Sequence, residues 1–149
     1  MIILGLGSNI LKGLFLKKAI TELNKNKIIV KKISSAYITS PAGFRYQPRF
    51  LNAVAEVNTK LKPLELLTLI QRIERYLLRV RFFKNAPRTI DIDILFYNDL
   101  IIKTRSLIIP HSRAHLRRFV IVPLLELYPQ FIHPLYKKPI SEFLENTTE

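Results

Sequence analysis

Leu51-Asn52-Ala53-Val54-Ala55-Glu56-Val57-Asn58 is the stretch whose reading decides the fold. Leu51, Ala53, Ala55 and Val57 fall on one side of an extended chain, while Asn52, Glu56 and Asn58 fall on the other. That is the period-two pattern of a half-buried strand. Behind it, Ile28 to Ile33 and Ala36 to Thr39 read as strand. Leu16, Ala19, Ile20 and Leu23 share one face of a helix that ends in the polar run Asn24-Lys25-Asn26-Lys27. Ile2 to Leu6 reads as a first buried strand, with Gly7-Ser8-Asn9 as a tight turn into that helix. Ahead, Pro63 suits the first position of a helix whose buried stripe is Leu66, Ile70, Ile73 and Leu77. Thr89 to Tyr97 reads as a strongly apolar strand, and Asn98-Asp99 as a hairpin turn leading to Leu100-Ile101-Ile102. Phe119 to Tyr128 fits either a strand or a helix. Strand, helix, strand, strand, helix, strand is the order of an α+β, ferredoxin-like core. Its central sheet is mostly antiparallel, with helices packed on it as three α/β/α layers.

A length of 149 residues predicts a single domain spanning 1–149, and 48% hydrophobic composition excludes disorder. The chain has no cysteine, which excludes a disulfide framework, a thiolate metal site and a Cys nucleophile. Apolar runs such as Phe119 to Leu125 fall far short of the ~20 residues of a membrane helix. Met1-Ile2-Ile3-Leu4-Gly5 lacks the basic flank of a secretory signal, so the expectation is a soluble, cytoplasmic protein without membrane partners.

The formal net charge of +13 points to an anionic partner, and its distribution narrows the choice. Arginines fall at 45–49, 72–88 and 105–118, whereas lysines are mostly spread elsewhere. Guanidinium groups recognise phosphate in a planar, bidentate way that ammonium groups cannot match; the bland alternative is a solvated charged face. Between two of these clusters stands Pro87-Arg88-Thr89-Ile90-Asp91-Ile92-Asp93-Ile94-Leu95. Residues two apart on a strand lie ~6.6 to 6.8 Å apart on one face, so Asp91 and Asp93 project together while the isoleucines pack opposite. Leu95 and Tyr97 continue the Asp face, which suggests that the strand is covered on both sides beyond Asp93. The ordinary reading is apolar in, acidic out. The chemical one is an oxygen-ligand site for Mg²⁺ completed by substrate phosphates, as in phosphoryl transfer. Gly7-Ser8-Asn9 lacks both the P-loop and the dinucleotide glycine spacings. His111 and His115 have helical spacing, but with no acid between them and Pro110 in front, phosphate contact or a surface role fits better than zinc. His133 reads as structural.

Together these segments resemble the 6-hydroxymethyl-7,8-dihydropterin pyrophosphokinase family of the folate pathway. The blocks that carry the resemblance are Leu4-Gly5-Leu6-Gly7-Ser8-Asn9, Tyr37-Ile38-Thr39-Ser40-Pro41, Gln47-Pro48-Arg49-Phe50-Leu51-Asn52-Ala53, Gln71-Arg72-Ile73-Glu74, Arg79-Val80-Arg81, Pro87 to Ile94, Pro110-His111 and Arg117-Arg118-Phe119-Val120. The resemblance implies transfer of pyrophosphate from ATP to the pterin hydroxymethyl group with release of AMP, by a monomer without a specific nucleic-acid partner. It implies that Asp91 and Asp93 bind two Mg²⁺, that Arg79, Arg81, Arg88, His111 and Arg117 hold phosphates, and that Gln71 and Glu74 help place ATP. Arg79 and Arg88 would lie nearest the transferring group. For the pterin it implies Asn52, with Phe50 and Phe119 as stacking walls and backbone from Thr39, Ser40, Pro41, Ala42 and Gly43. Leu78 stands where the family usually has glycine, which predicts a longer second helix; the basic loop is about one residue short; and Ser106 stands where an arginine is common. Two other classes share parts of the pattern. Nucleotidyltransferases pair a Gly-Ser turn with a D-x-D strand, but here the acids follow more than eighty residues later. RNA-binding modules of this strand order carry a glycine-aromatic strand motif that is not visible here.

Overall fold

Alternation along the first strand sends Ile2, Leu4 and Leu6 into one apolar cluster and Ile3 into another, so the sheet carries a core on each face. This computed structural model describes residues 1–8, 13–39, 50–79 and 90–149, the side chain of Arg79 aside. The main sheet comprises β1 (Ile2–Ser8), β2 (Ile29–Ile33), β3 (Tyr37–Thr39), β4 (Phe50–Asn58) and β5 (Asp91–Tyr97). Its order is β2-β4-β1-β5, every neighbouring pair is antiparallel, and β3 continues the edge beside β4. The helix α1 (Leu14–Lys25) joins β1 to β2 across β4, and α2 (Pro63–Arg79) joins β4 to β5 across β1. This is the ferredoxin-like arrangement that the order of elements predicts.

Both crossover helices form where the apolar period demands. Leu66, Ile70, Ile73 and Leu77 of α2 are each at most 3% exposed, as are Ala19 and Leu23 of α1. Each such Leu or Ile contributes roughly 1.5–3 kcal/mol by leaving water. Pro63 opens α2, and the Glu65 carboxylate accepts the Lys62 N–H at 2.9 Å, half of a capping box. The helix runs on through Leu78 to Arg79, as a side chain in place of glycine predicts.

The second face holds the departures. Phe119 to Tyr128 is helical: α3 (Arg118–Leu127) buries Val120, Ile121 and Leu124 against Ile3, Val54, Leu95 and Phe96. That third layer covers the side of β4 expected to be wet, so Asn52 and Glu56 are buried, and Tyr128 donates its hydroxyl proton to Glu56. Gly7 and Ser8 belong to β1 and form no turn, while Asn9 lies outside the described residues. In β5 the register against β1 slips by one residue, pairing Ile3 with Phe96 and Leu4 with Ile94. This bulge leaves Leu95 unpaired, turns both Leu95 and Phe96 to the α3 side, and returns Tyr97 to the α1/α2 side, so Tyr97 does not continue the Asp face. The segment after Asn98-Asp99 does not pair back onto β5 as a hairpin. β6 (Ile102–Lys103) pairs instead with β7 (Ile108–Ile109).

β8 (Ile132–His133), β9 (Lys138–Pro139) and a 3-10 helix at Ile140–Asn146 close the α3 side. His133, 1% exposed, packs its ring among Phe96, His115, Tyr136 and Phe143, and its Nδ1 accepts the Leu135 N–H at 3.2 Å. Burial, helped by the neighbouring His115, pushes its pKa down to about 4. The folded form therefore binds fewer protons than the unfolded chain between pH 6.5 and about 4. Stability from this group is fully present above pH 6.5 and is lost as pH falls through that window, with a slope approaching ~1.4 kcal/mol per pH unit. His133→Asn retains an acceptor for the turn and removes the titration. Denaturant unfolding at pH 7 and pH 5 is expected to show a smaller acid loss for the variant than for the wild type, and equal losses would refute this assignment.

Candidate active site

The register of three strands assembles the site. Gly7 of β1 lies between Asn52 of β4 and Asp91 of β5, and Gly5 lies between Val54 and Asp93. Each row has its middle side chain missing. Adjacent strands are ~4.8 Å apart, so the backbones that carry Asn52 and Asp91 lie roughly 10 Å apart with only glycine between them. A Cβ on Gly7 would stand 3.1 Å from Asn52 Oδ1, and one on Gly5 would stand 3.2 Å from Leu95 Cδ1. Glycine at position 7 leaves room beside the Asn52 amide, and glycine at position 5 lets the Leu95 side chain pack against the strand. Asp91 and Asp93 are exposed while Ile92 and Ile94 are buried behind them, so their carboxylates project from a rigid strand. The free edge of that strand is capped, because Ile92 N–H donates to Glu74 Oε2 at 3.0 Å and His111 N–H to the Leu95 carbonyl at 2.9 Å.

These rows floor a cavity of about 760 Å³. Its walls bring together Thr39, Phe50, Asn52, Asp91, Asp93, Arg117 and Phe119, seven of the residues singled out from sequence, drawn from β3, β4, β5 and α3 with its N-cap residue Arg117. Asn52, 8% exposed, donates from Nδ2 to Thr39 Oγ1 at 2.8 Å, which orients its amide. The Arg117 guanidinium lies 5.4 Å from the centre of the Phe119 ring, and its Nε is buried with no hydrogen-bond partner among the described residues. Its nearest carboxylate among the described residues is that of Glu149, 3.7 Å away, so the guanidinium faces the cavity with hydrogen-bonding capacity left for an anion.

His111 stands beside the cavity. Burial pushes its pKa below the usual imidazole value, with Asp93 pulling the other way and Arg117 reinforcing the drop. Its Nδ1 accepts the Arg113 N–H at 3.1 Å, so the neutral ring carries its proton on Nε2 and can donate from there. Gln71 and Glu74 are not brought to the cavity wall. Both lie on α2, where Gln71 is exposed and Glu74 accepts from β5. Ser40, Pro41, Ala42, Gly43, Arg81 and Arg88 lie outside the described residues, as does the Arg79 side chain at the end of α2.

Sequence reasoning missed four residues here. Gly5 and Gly7 carried a usable signal, since alternating glycines inside a strand mark a surface that something must approach closely. Tyr37 gave none. Nor did Glu149, which lines the cavity with its carboxylate 2.5 Å from Arg113 Nη2 and 3.7 Å from Arg117 Nε. The Arg113 contact holds the Glu149 carboxyl below the usual carboxylate range. Among the described residues no cluster of three or more His, Asp or Glu side chains could hold a metal ion by itself. A second cavity of about 860 Å³, at the opposite end of the sheet beside Met1, Asn98 and Tyr128, contains none of the singled-out residues.

Known proteins show the same arrangement of sequence and fold. Residues 3–129 match the family described as 7,8-dihydro-6-hydroxymethylpterin-pyrophosphokinase (HPPK). The 2-amino-4-hydroxy-6-hydroxymethyldihydropteridine pyrophosphokinase of Aquifex aeolicus is 43% identical over 146 residues, which cover 97% of this chain and 91% of that protein. The Bacillus subtilis protein of the same name is 43% identical over 129 residues, covering 85% of this chain and 77% of its own length. Among solved structures, a Plasmodium falciparum HPPK-DHPS chain superposes with a TM-score of 0.75 at 17% identity, over 97% of this chain and 45% of that longer one, a likeness of fold. With a family match over most of its length and pyrophosphokinase relatives at this identity, the chain belongs to the 7,8-dihydro-6-hydroxymethylpterin-pyrophosphokinase family.

Proposed function

We propose that the protein transfers pyrophosphate from ATP to the hydroxymethyl group of 6-hydroxymethyl-7,8-dihydropterin, releasing AMP, with Asp91 and Asp93 holding two Mg²⁺. The observation that carries this reading is the pair of glycine-centred rows, which set an orienting amide and two acids on one face of the sheet, inside one cavity. A flat heterocycle laid across Gly7 has its edge against Asn52 and directs a substituent toward the acids. Phe50 and Phe119 line the same cavity and supply apolar ring surface for stacking.

The donor set suits Mg²⁺. The ion prefers oxygen ligands and is commonly held by one or two carboxylates, with substrate phosphates and water completing the octahedron. When bound, the ions would neutralise charge on the transferring group. The protein's own groups position the rest. Arg117 and His111 face the phosphates, Asn52 fixes the pterin edge, and the stacking walls exclude water from between the substrates. The pterin hydroxyl oxygen attacks the β-phosphorus in line, the bond from that phosphorus to the α-phosphate oxygen breaks, AMP departs, and the hydroxyl proton passes to solvent. Arg79, Arg81 and Arg88, with the backbone of residues 40–43, complete the phosphate and pterin contacts in this reading.

Calorimetric titration with a non-hydrolysable ATP analogue and Mg²⁺, with and without 6-hydroxymethylpterin, tests it, followed by product analysis with ATP. Pterin binding that depends on nucleotide and Mg²⁺, and AMP as the nucleotide product, are expected. ADP as product, or no pterin binding under any condition, would overturn the reading. Gly7→Val gives a sharper check. Two methyl groups where one Cβ already crowds Asn52 Oδ1 should weaken pterin binding at least tenfold, roughly 1.4 kcal/mol or more, and leave the nucleotide constant within about twofold.

A further inference from the structure

The cavity wall built by β3 is held in place from outside the cavity. β2 and β3 form one interrupted edge along β4: Ile33 pairs with Ala55 and Tyr37 with Asn52, so the edge carries one more residue than its partner between those pairs. At the interruption Ser34 is tied to β4, its N–H donating to the Val54 carbonyl and its Oγ accepting the Val54 N–H, both at 2.9 Å. Ser35 is tied to α3. Its N–H donates to Glu126 Oε2 and its Oγ to Glu126 Oε1, each at 2.5 Å, and the Tyr37 hydroxyl reaches the same Oε1 at 3.4 Å. These donors hold the Glu126 carboxyl below the usual carboxylate range, so it is an anion at neutral pH.

Glu126 does not line the cavity, yet each partner leads into it. Tyr37 and Thr39 are wall residues, and Thr39 accepts the hydrogen bond that orients Asn52. Strand β3 has only three residues and pairs on one side alone, so its ladder with β4 is a weak constraint by itself. α3 carries both ends of the device. Phe119 and Pro123 form the opposite wall, and Glu126 stands seven residues beyond Phe119, ~10 Å along the same helix.

We infer that Glu126 is a positioning residue for the pterin: by clamping Ser35 and Tyr37 to the end of α3, it fixes the gap between the β3 wall and the Phe119 wall. The inference rests on the pterin reading of this cavity. The clamp acts on the pterin side, because it grips the C-terminal end of α3, whereas Arg117 caps the opposite end of that helix and His111 and the acids stand on other segments.

Glu126→Ala, Ser35→Ala and the double variant test it by calorimetry with 6-hydroxymethylpterin in the presence of the ATP analogue and Mg²⁺. Each single variant is expected to weaken pterin binding about five- to twenty-fold and raise the pterin KM, with the nucleotide constant within twofold and kcat within about threefold. The double variant should be no worse than Glu126→Ala, since that change already removes the Oγ contact that Ser35→Ala breaks. Glu126→Gln, which keeps an acceptor for the Ser35 N–H, should recover part of the loss. Pterin affinity unchanged within twofold in both single variants would overturn the inference. So would pterin and nucleotide affinity falling together with Tm, the mark of a residue that merely supports the fold. If the wild type binds no pterin, the function itself is wrong; if it binds pterin and Glu126→Ala matches it, only the clamp is.

Discussion

Asp93→Asn is expected to cut turnover by roughly 10³-fold or more, which corresponds to about 4 kcal/mol of lost transition-state stabilisation. The side chain is exposed on the cavity side of β5 and the core lies behind it, so the variant keeps the core intact. It also removes one of two neighbouring like charges, and Tm should stay level or rise slightly. AMP release under saturating substrates and calorimetric unfolding measure the two quantities. Asp91→Asn should behave alike, and the double variant should lose little more than either single one, because the pair works as a unit. Turnover within tenfold of the wild type would remove both acids from the chemistry and return them to the ordinary role of polar residues on the outside of a strand.

Asn52→Ala carries the second large effect. A buried amide that reads a heterocycle edge leaves that edge unpaired when it is removed, at a cost of roughly 2–3 kcal/mol. The pterin dissociation constant should rise about 30- to 150-fold, with the nucleotide constant little changed. The amide is also donor to Thr39 Oγ1, so a modest drop in Tm should accompany the change. Equal losses for both substrates would mean that Asn52 supports the sheet and does not read the pterin. Titration of each substrate separately distinguishes the cases.

The crossover helices and all five strands of the main sheet were legible, the clearest of them where a single period dominates. The stripe Leu66, Ile70, Ile73, Leu77 admits only a helix, and the alternation in 51–58 admits only a strand. Legibility failed where a second layer changed the rules. Nothing within 51–58 says that α3 will cover Asn52 and Glu56, because burial of that face is decided seventy residues later. The bulge at Leu95 is likewise invisible in a run of Ile, Leu and Phe, since every residue there is apolar and any register buries something. For the site, Asp91, Asp93, Asn52, Phe50 and Phe119 were legible from side-chain chemistry and resemblance. The floor itself was not, because it is centred on side chains that are missing. That the Glu74 carboxylate seals a strand edge was not legible either, because this role depends on which strand ends the sheet.

The pairing of β5 with β1 has a temporal consequence. Asp91 and Asp93 complete the floor only when they lie beside Gly7 and Gly5, residues made more than eighty positions earlier. Closing so long a segment is entropically slow relative to forming α1 or α2, so the edge that bears the acids is expected to dock late. During synthesis β1 and β4 can pair while β5 is still inside the ribosome, with an apolar strand edge waiting for its neighbour. Catalytic competence would then arise late, and a nascent chain halted before residue 91 would hold the pterin amide but neither acid.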